Sequence, residues 1–230
     1  MPVSDLQHFL SATNQLIIST GDGSHSLYSP LYDETYHSRF GAISESKHIY
    51  LNNGLLSIAN DHQQIKIFEM GFGTGLLASL TAELQQQNKL NIVYHAIEKH
   101  PIEKEIWSQL NFVSLVPPFF SEINQMLWEV EENPWPGFQI KKIAGDVFSL
   151  SLTIGFYDLI FYNPFAPVQQ PDLWEAPILR KMYDGLQSGG VLVTYSAKSS
   201  FRLHLKEIGF EVQKLPGPLG KREMVRAVKP

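Results

Sequence analysis

The feature that most constrains this chain is an apolar run that ends in three closely spaced glycines. Residues 65–70 read Ile-Lys-Ile-Phe-Glu-Met, and Gly71, Gly73 and Gly75 follow, after which leucines recur with helical spacing from Leu76. A short apolar run of this kind is typical of a buried parallel strand. Glycine permits the positive φ and the close approach to a ligand that a tight turn needs. The pattern predicts a nucleotide-binding strand, loop and helix, although a tight turn with nothing bound would use the same residues.

A second apolar run, residues 92–97, ends in Glu98. A carboxylate at the end of the second strand can accept hydrogen bonds from both hydroxyls of a ribose. NAD and S-adenosylmethionine both present such hydroxyls, so this acid alone does not separate the two cofactors. The loop lacks the Gly-x-Gly-x-x-Gly spacing that suits a pyrophosphate, and Glu69 stands just before it. A carboxylate there suits a cationic methionyl group better than a diphosphate, which favours S-adenosylmethionine.

The composition is that of an ordinary globular protein and excludes several kinds of site. The chain has 230 residues, 43% of them hydrophobic and 18% charged, and it has no cysteine. Disulfides and thiolate chemistry are therefore excluded, and the histidines show no metal-ligand spacing, so we predict no metal. No apolar run approaches membrane-spanning length and the start does not resemble a signal peptide. We expect a cytoplasmic protein with no membrane partner.

Strand and helix patterns alternate along the rest of the chain and predict one open α/β sheet, which would bind its cofactor at the carboxyl ends of the strands. We expect a Rossmann-like, mostly parallel sheet of seven strands in residues 61–230. The last strand should be antiparallel, because the final two strands are close in sequence. Residues 119–132 are interpreted as an amphipathic helix and residues 133–137 as a loop. The later strands are predicted at residues 138–144, 157–162, 189–195, 209–212 and 222–227.

Residues 1–60 are predicted to form an extension in front of this domain. Gly21-Asp22-Gly23 lies between two short strand patterns and indicates a hairpin turn. The stretch from residue 29 to residue 42 is rich in polar and aromatic side chains and lacks aliphatic periodicity. We therefore expect it to form a lid over the cofactor rather than core.

The third predicted strand ends in Gly145-Asp146-Val147. In this topology an acid after the third strand accepts a hydrogen bond from the adenine amino group, although a simple turn aspartate is the alternative. The predicted cofactor contacts are Tyr36, Glu45, Glu69, Met70, Gly71, Gly73, Thr74, Gly75, Glu98, Asp146 and Val147.

The fourth predicted strand ends in Asn163-Pro164-Phe165, where a methyl group would be transferred. Methylation of an amine requires the neutral nitrogen lone pair to be aligned with the sulfur–methyl bond. The Asn163 side-chain oxygen and the Pro164 carbonyl would accept N–H bonds and aim that lone pair. Phe165 would offer a flat apolar wall to a planar base, or to the amine as it becomes cationic. A strand that ends in a proline turn without a chemical role is the alternative.

Several segments carry a resemblance to a known family. From about residue 20 to residue 227 the chain resembles the methyltransferases that act on the 5-aminomethyl-2-thiouridine wobble base of tRNA. The two segments nearest the C-terminus are far more specific than the glycine loop. The matching segments are Asp22-Gly23-Ser24-His25-Ser26-Leu27-Tyr28, Tyr36-His37-Ser38-Arg39 with Glu45-Ser46, Phe68-Glu69-Met70-Gly71-Phe72-Gly73-Thr74-Gly75, Phe165-Ala166-Pro167 with Pro171-Asp172-Leu173-Trp174, and Leu215-Pro216-Gly217-Pro218-Leu219-Gly220-Lys221-Arg222-Glu223-Met224.

The resemblance implies a class I S-adenosylmethionine-dependent methyltransferase that works without flavin or metal. It implies the tRNA anticodon stem-loop as partner, and a separate oxidase or the enzymes that make the aminomethyl precursor as further partners. The net charge of −5 argues against nucleic acid, but residues 198–230 contain eight Lys or Arg against three Glu. This distribution is compatible with a phosphate-binding face as well as with solvated surface. The implied tRNA contacts are Lys198, Arg202, Lys221 and Arg222.

The chain departs from the family pattern at one important place. The two residues before Phe165-Ala166-Pro167 usually read Asp-Gly or Asp-Ala in this family, whereas here they read Asn163-Pro164. A carboxylate could take the proton of the amine, but an amide cannot. We favour a role for Asn163 in orienting the amine; weakened or lost activity is the alternative. A methyltransferase for another amine, a tRNA-binding relic without turnover, and an NAD oxidoreductase stay open in that order.

Overall fold

The computed structural model describes residues 8–10 and 15–230 and begins with a small antiparallel sheet. Its strands within these residues are β1 (His8–Leu10), β2 (Gln15–Ser19), β3 (His25–Ser29) and β4 (Glu34–Thr35), paired in chain order. β2 and β3 form the hairpin predicted around residues 21–23. The carboxylate of Asp22 holds the turn, because it accepts hydrogen bonds from the N–H groups of Ser24 (3.0 Å) and Ser44 (2.8 Å).

The main sheet confirms the predicted α/β architecture. Within the described residues its strands are β5 (Ile65–Met70), β6 (Ile92–Glu98), β7 (Glu131–Trp135), β8 (Phe138–Ala144), β9 (Tyr157–Tyr162), β10 (Leu186–Thr194), β11 (Glu211–Pro216) and β12 (Glu223–Val228). Their spatial order is β11-β12-β10-β9-β5-β6-β8-β7. The five strands from β10 to β8 run parallel. The last strand, β12, is antiparallel to both neighbours, as predicted.

Helices cover both faces of the main sheet. Successive residues of β9 point to opposite faces, so that Leu159 and Phe161 belong to one hydrophobic cluster and Ile160 and Tyr162 to another. The helices of the described chain are α1 (Ala42–Ser46), a π-helix (Lys47–Leu55), α2 (Leu56–Ile58), α3 (Leu76–Asn88), α4 (Lys104–Trp107), α5 (Phe112–Leu115), α6 (Phe119–Gln125), α7 (Ala176–Gly185) and α8 (Ser199–Ile208), with 3-10 turns at Ala59–Asp61 and Pro171–Trp174.

The edge strand β7 corrects the predicted elements. The prediction of one helix over residues 119–132 and a loop over residues 133–137 is wrong, since α6 ends at Gln125 and β7 pairs antiparallel with β8. The seven predicted strands are therefore eight within residues 15–230. An edge strand tolerates proline because only one of its sides is paired. The pairing is irregular between Glu132 and Trp135, where Pro134 lies.

The segment from Ala42 to Ile58 forms a continuous helical stretch that the sequence patterns did not indicate. Ile49 and Leu55 are fully buried in the same hydrophobic cluster as Ile67 of β5. The N-terminal region and the main sheet therefore share one core. The predicted division of the chain between residues 60 and 61 stays a prediction.

Replacing Gly54 of the π-helix by valine is expected to destabilise the fold. A Cβ at Gly54 would stand 3.0 Å from Val193 Cγ2 and 3.3 Å from Phe161 Cε1, and overpacking of this kind lowers the free energy of unfolding by about 1–3 kcal/mol. Urea unfolding measures the change. Asn52→Val, at an exposed position of the same helix, is the control and should lower it by less than about 0.7 kcal/mol. Equal losses in the two variants would contradict this packing.

Candidate active site

A cavity of about 620 Å³ opens where β5, β6, β8 and β9 reach their carboxyl ends, a volume in the range of small-molecule sites. The stretch 32–40 of the N-terminal region and the stretch 163–173 after β9 contribute further walls. Most of the residues predicted from the sequence meet here. Those that line the cavity are Tyr36, Glu45, Glu69, Met70, Gly71, Gly73, Glu98, Asp146, Val147, Asn163, Pro164, Phe165 and Lys221.

The glycine loop contacts cavity residues at the ends of two different strands, Asn163 after β9 and Glu98 of β6. Gly71 has a φ of +91°, and a Cβ there would stand 2.8 Å from the carbonyl oxygen of Asn163. Gly73, with a φ of +54°, donates its N–H to Glu98 Oε2 at 2.9 Å. Only glycine fits at the first of these positions. The loop therefore lies directly between the end of β6 and the Asn163-Pro164-Phe165 corner.

Thr74 and Gly75 do not line the cavity, in contrast to the cofactor contacts predicted for them. Thr74 is fully buried, and its hydroxyl is hydrogen-bonded to His37 Nε2 at 2.8 Å. Gly75 packs against Asn124 of α6, whose amide nitrogen lies 2.8 Å from the position of a Cβ at Gly75. Burial lowers the pKa of His37 to about 4, so its ring is neutral at neutral pH. Thr74 and Gly75 therefore support the loop through hydrogen bonding and packing instead of lining the cavity.

Glu69 lines the cavity and has one carboxylate oxygen without a hydrogen-bond partner. The side chain is fully buried, and its Oε2 accepts a hydrogen bond from the Tyr94 hydroxyl at 2.7 Å, whereas its Oε1 has no hydrogen-bond partner. Burial raises the pKa of Glu69 well above the ordinary value. A buried carboxylate of this kind favours a bound cation. The residues present thus fit the methionyl ammonium of S-adenosylmethionine.

Glu98 and Asp146 line the cavity with Lys99, which the sequence patterns did not single out. Glu98 accepts backbone N–H bonds from Gly73 and from His100 (both 2.9 Å), and burial raises its pKa. Asp146 forms an ion pair with Lys99 at 2.9 Å, and that contact lowers the pKa of Asp146. Each carboxylate oxygen can accept a second hydrogen bond, so both side chains can also bind a ligand's donor groups.

Two tyrosines hold the acceptor groups of the Asn163-Pro164-Phe165 corner. The Tyr50 hydroxyl donates to Asn163 Oδ1 at 2.7 Å, and the Tyr195 hydroxyl donates to the Pro164 carbonyl at 2.8 Å. Each acceptor keeps a second lone pair for a ligand. The sequence analysis missed both tyrosines. Tyr195 ends the fifth predicted strand, at the same edge of the sheet, and this position is the signal that could have indicated it.

Phe165 is held on several sides. Its ring centroid lies 4.7 Å from that of Tyr32 and 5.0 Å from that of Tyr36. Its N–H donates to Gln170 Oε1 at 3.0 Å, and its carbonyl accepts from Trp174 Nε1 at 2.9 Å. The turn that carries Pro171 to Trp174 therefore fixes the backbone of this corner, while the rings form an aromatic wall of the cavity.

The four predicted tRNA contacts differ in their surroundings. Lys221 lines the cavity, where its ammonium forms an ion pair with Glu45 Oε1 and lies 4.3 Å from the centre of the Tyr195 ring. Lys198 and Arg222 are exposed. The guanidinium of Arg202 bonds the Ala197 carbonyl and the Ser199 hydroxyl, both at 3.1 Å. Phosphate binding by these side chains stays a prediction.

Within residues 8–10 and 15–230, no group of three or more His, Cys, Asp or Glu side chains is arranged to hold a metal ion. None of the helices described is both long enough and apolar enough to span a membrane.

Glu69→Gln is expected to weaken the binding of S-adenosylmethionine by at least about tenfold, because the amide presents no charge to the methionyl ammonium. Isothermal titration calorimetry measures the affinity. Glu105→Gln, an exposed residue of α4, makes the same chemical change outside the cavity and should leave the affinity unaltered. Unchanged affinity in the Glu69 variant would remove that carboxylate from the cofactor site.

Glu69 also makes the stability of the ligand-free protein depend on pH. Burial raises its pKa from the ordinary value of 4.5 in the folded protein, so above that value the folded state keeps a proton that the unfolded state has lost. The free energy of unfolding therefore falls as pH rises through this window. Relative to wild type, Glu69→Gln should gain stability from about pH 5 to about pH 8 in urea unfolding. A constant difference over that range would contradict the assignment.

Comparisons with known proteins agree with this geometry. Residues 122–230 match a family described as S-adenosyl-L-methionine-dependent methyltransferase. The chain is 29% identical over 222 residues (88% of the chain, 33% of the relative) to the tRNA 5-methylaminomethyl-2-thiouridine biosynthesis bifunctional protein MnmC of Ralstonia nicotianae. It is 32% identical over 219 residues (87% and 32%) to the protein of the same name from Cupriavidus necator. The chain thus spans about a third of the length of these curated relatives.

Solved structures show the same relationship. MNMC2 from Aquifex aeolicus superposes with a TM-score of 0.79 at 25% identity, covering 96% of this chain and 72% of that one. Spermidine synthase from Thermotoga maritima, with a TM-score of 0.57 at 12% identity over 97% of this chain and 72% of that one, shares the fold alone. Together with the cavity described above, these similarities identify the chain as an S-adenosylmethionine-dependent methyltransferase, similar in sequence to part of the MnmC proteins.

Proposed function

We propose that the protein methylates the amine of 5-aminomethyl-(2-thio)uridine at the wobble position of tRNA and so forms 5-methylaminomethyl-(2-thio)uridine. The observation that carries this proposal is the close approach of Gly71 to the Asn163 carbonyl, which brings the glycine loop and the Asn163-Pro164-Phe165 corner into one cavity. The similarity to MnmC and MNMC2 proteins supports the choice of substrate.

The cofactor half of the cavity would bind S-adenosylmethionine through three carboxylates. Glu69 would bind the methionyl ammonium, Glu98 the ribose hydroxyls and Asp146 the adenine amino group. Met70 and Val147 would supply apolar contacts, and Tyr36 would close the cavity over Gly73, whose Cβ position lies 3.2 Å from its ring. When bound, the cofactor supplies an electrophilic methyl group.

The other half of the cavity would hold the modified base. Phe165 and Tyr32 offer aromatic faces on which a nucleobase can stack. Asn163 Oδ1 and the Pro164 carbonyl would accept N–H bonds of the amine and help to direct its lone pair at the methyl group. In this arrangement Asn163 orients the amine, which is the role expected for it from the sequence.

The tRNA itself would dock beside the cavity through its anticodon stem-loop. A wobble base in a single-stranded loop can be flipped into the cavity without melting a duplex. Lys198, Arg202 and Arg222 would meet backbone phosphates, with Lys221 nearer the base. On this proposal the protein works in the cytoplasm, and a separate oxidase or the enzymes of aminomethyl synthesis precede it.

Mass spectrometry of wobble nucleosides tests the proposal. Undermodified tRNA that carries the aminomethyl group should gain one methyl group per anticodon when incubated with protein and S-adenosylmethionine. Unchanged nucleosides, with the cofactor shown to bind by calorimetry, would refute the proposed substrate. A parallel assay on free amines distinguishes a methyltransferase for small molecules.

The double variant Lys198→Glu with Arg222→Glu is expected to weaken tRNA binding by at least about tenfold. Each phosphate contact releases counterions from the tRNA, which favours binding, so that losing the contact also loses this contribution. The slope of log affinity against log salt concentration should become shallower, while cofactor affinity stays the same. Filter binding at several salt concentrations measures both. Lys89→Glu with Lys104→Glu, two exposed lysines outside the predicted tRNA contacts, is the matched control. Equal affinities in the two double variants would place the tRNA elsewhere.

A further inference from the structure

The acceptor corner lacks a group that can take a proton. The Asn163 amide and the Pro164 carbonyl accept hydrogen bonds but are not bases at neutral pH. An alkyl ammonium must lose a proton before its nitrogen can attack a methyl group, and a methylated nitrogen must lose one to become neutral. If the proposed function holds, another side chain of the cavity receives that proton.

The carboxylates of the cavity differ in their suitability for this step. Glu69, Glu98 and Asp146 surround the glycine loop and belong to the cofactor half. Asp172 is exposed, and Glu34 is half-exposed with its Oε1 bonded to the N–H of its neighbour Thr35 at 3.0 Å. Among the described residues that line the cavity, this leaves Glu45, a side chain of α1 that is 8% exposed.

Glu45 is held firmly and is linked to the acceptor corner. Its Oε2 accepts the N–H of Ser38 at 3.0 Å, and its Oε1 contacts the Lys221 ammonium. Lys221 lies 4.3 Å from the centre of the Tyr195 ring, whose hydroxyl donates to the Pro164 carbonyl. A chain of direct contacts therefore runs from Glu45 through Lys221 and Tyr195 to the corner.

A second connection follows the N-terminal helix. Tyr50 lies five residues after Glu45, on the π-helix that continues directly from α1. The Tyr50 hydroxyl donates to Asn163 Oδ1 at 2.7 Å. Glu45 and Tyr50 also interact electrostatically, as do Glu45 and Tyr195. Both tyrosines that hydrogen-bond to the corner, Tyr50 and Tyr195, thus interact electrostatically with the Glu45 carboxylate.

We propose that Glu45 is the catalytic residue that accepts a hydrogen bond from the acceptor amine and takes its proton, and that Lys221 is a positioning residue that holds this carboxylate in place. The inference rests on the proposed amine methylation. It gives Glu45 a role on the acceptor side of the cavity, which differs from the cofactor contact predicted from the sequence.

The proposed step balances in atoms and charge. One N–H proton of the substrate ammonium passes to a Glu45 oxygen and leaves a neutral amine. The nitrogen lone pair then forms the new nitrogen–carbon bond while the carbon–sulfur bond breaks and leaves its electron pair on sulfur. A sulfonium, an ammonium and a carboxylate thus become a thioether, a methylated ammonium and a carboxylic acid, which returns its proton to water at the cavity mouth.

Two tyrosines and a histidine near Glu45 do not change charge near neutral pH. Burial, with Glu45 as a further cause, raises the pKa of both Tyr50 and Tyr195, so both hydroxyls stay protonated. His37, which interacts with Lys221, has its pKa lowered to about 4 by burial and stays neutral. Glu34 interacts electrostatically with Tyr195, and Glu69, whose pKa is raised by burial, interacts with Tyr50. Wild type and Glu45→Gln share all these groups, so the difference between their pH profiles should report on Glu45 and on the amine.

Glu45→Gln tests the proposal with undermodified tRNA that carries the aminomethyl group. We expect kcat at pH 7 to fall at least about 100-fold, and to rise about tenfold per pH unit up to about pH 9, because the variant depends on amine deprotonated by solvent. The Kd for S-adenosylmethionine should stay within about threefold of wild type. The Kd for the nucleoside 5-aminomethyluridine, measured by calorimetry with S-adenosylhomocysteine present, should rise at least about tenfold.

Two further Glu variants serve as controls. Glu45→Asp keeps a carboxylate, so it should retain the pH profile of wild type at a lower rate. Glu105→Gln makes the same charge change on the exposed face of α4 and should match wild type in every measurement. Thermal melting of each variant shows whether it is folded. If Glu45→Gln is unfolded, folded Glu45→Asp decides: a kcat that rises about tenfold per pH unit, as expected for a protein without the carboxylate, would overturn the proposal.

Lys221→Met separates positioning from tRNA binding. A positioning role predicts a lower kcat at saturating tRNA with a nearly unchanged KM, and partial recovery in Lys221→Arg. A raised KM for tRNA with an unchanged kcat would assign Lys221 to phosphate binding instead and overturn its proposed role.

The outcomes for Glu45 are distinct from those for the function as a whole. If wild type methylates the tRNA and Glu45→Gln does so at a similar rate, Glu45 is not the proton acceptor and only this inference fails. If Glu45→Gln loses cofactor affinity but turns over normally at saturating cofactor, Glu45 belongs to the cofactor site. If wild type leaves the tRNA unmodified, the proposed function fails and the inference fails with it.

Discussion

The close approach of Gly71 to the carbonyl of Asn163 sets the geometry of the whole site. Backbone hydrogen bonds hold both strands at this point, from the Gly71 N–H to the Ile97 carbonyl (3.1 Å) and from the Asn163 N–H to the Met70 carbonyl (3.1 Å). A side chain at position 71 would meet that carbonyl at 2.8 Å and push the two loops apart. The fixed distance between the glycine loop and the Asn163-Pro164-Phe165 corner is thus a property of the parallel sheet itself, imposed by adjacent strands that end at one edge.

This dependence explains why so much of the fold could be predicted from local sequence. Each parallel strand shows its own apolar run, and a parallel sheet brings the residues that follow such runs to one edge. Gly71, Glu98, Asp146 and Asn163 each follow or end a predicted strand, and the cavity contains all of them. The positions of the strand ends in the sequence were sufficient to predict this grouping, because a parallel sheet brings the ends of its strands to one edge.

The contacts that sequence reasoning missed are those that join distant segments. Tyr50 reaches Asn163 across 113 positions, and Lys221 reaches Glu45 across 176. Neither pair leaves a periodic signal, since the contact depends on how the helical stretch after residue 42 packs on the sheet. The edge strand β7 was missed for a different reason: its proline is typical of a loop, and only pairing on a single side makes it compatible with a strand.

The hydrogen bond between His37 and Thr74 couples the N-terminal region to the glycine loop. Because the bond is buried and joins segments 37 positions apart, order in one segment favours order in the other. By thermodynamic reciprocity, a ligand that binds the loop and stabilises the segment around His37 also binds more tightly when that segment is ordered. A substitution that removes this hydrogen bond would on this account lower the affinity of the loop for such a ligand.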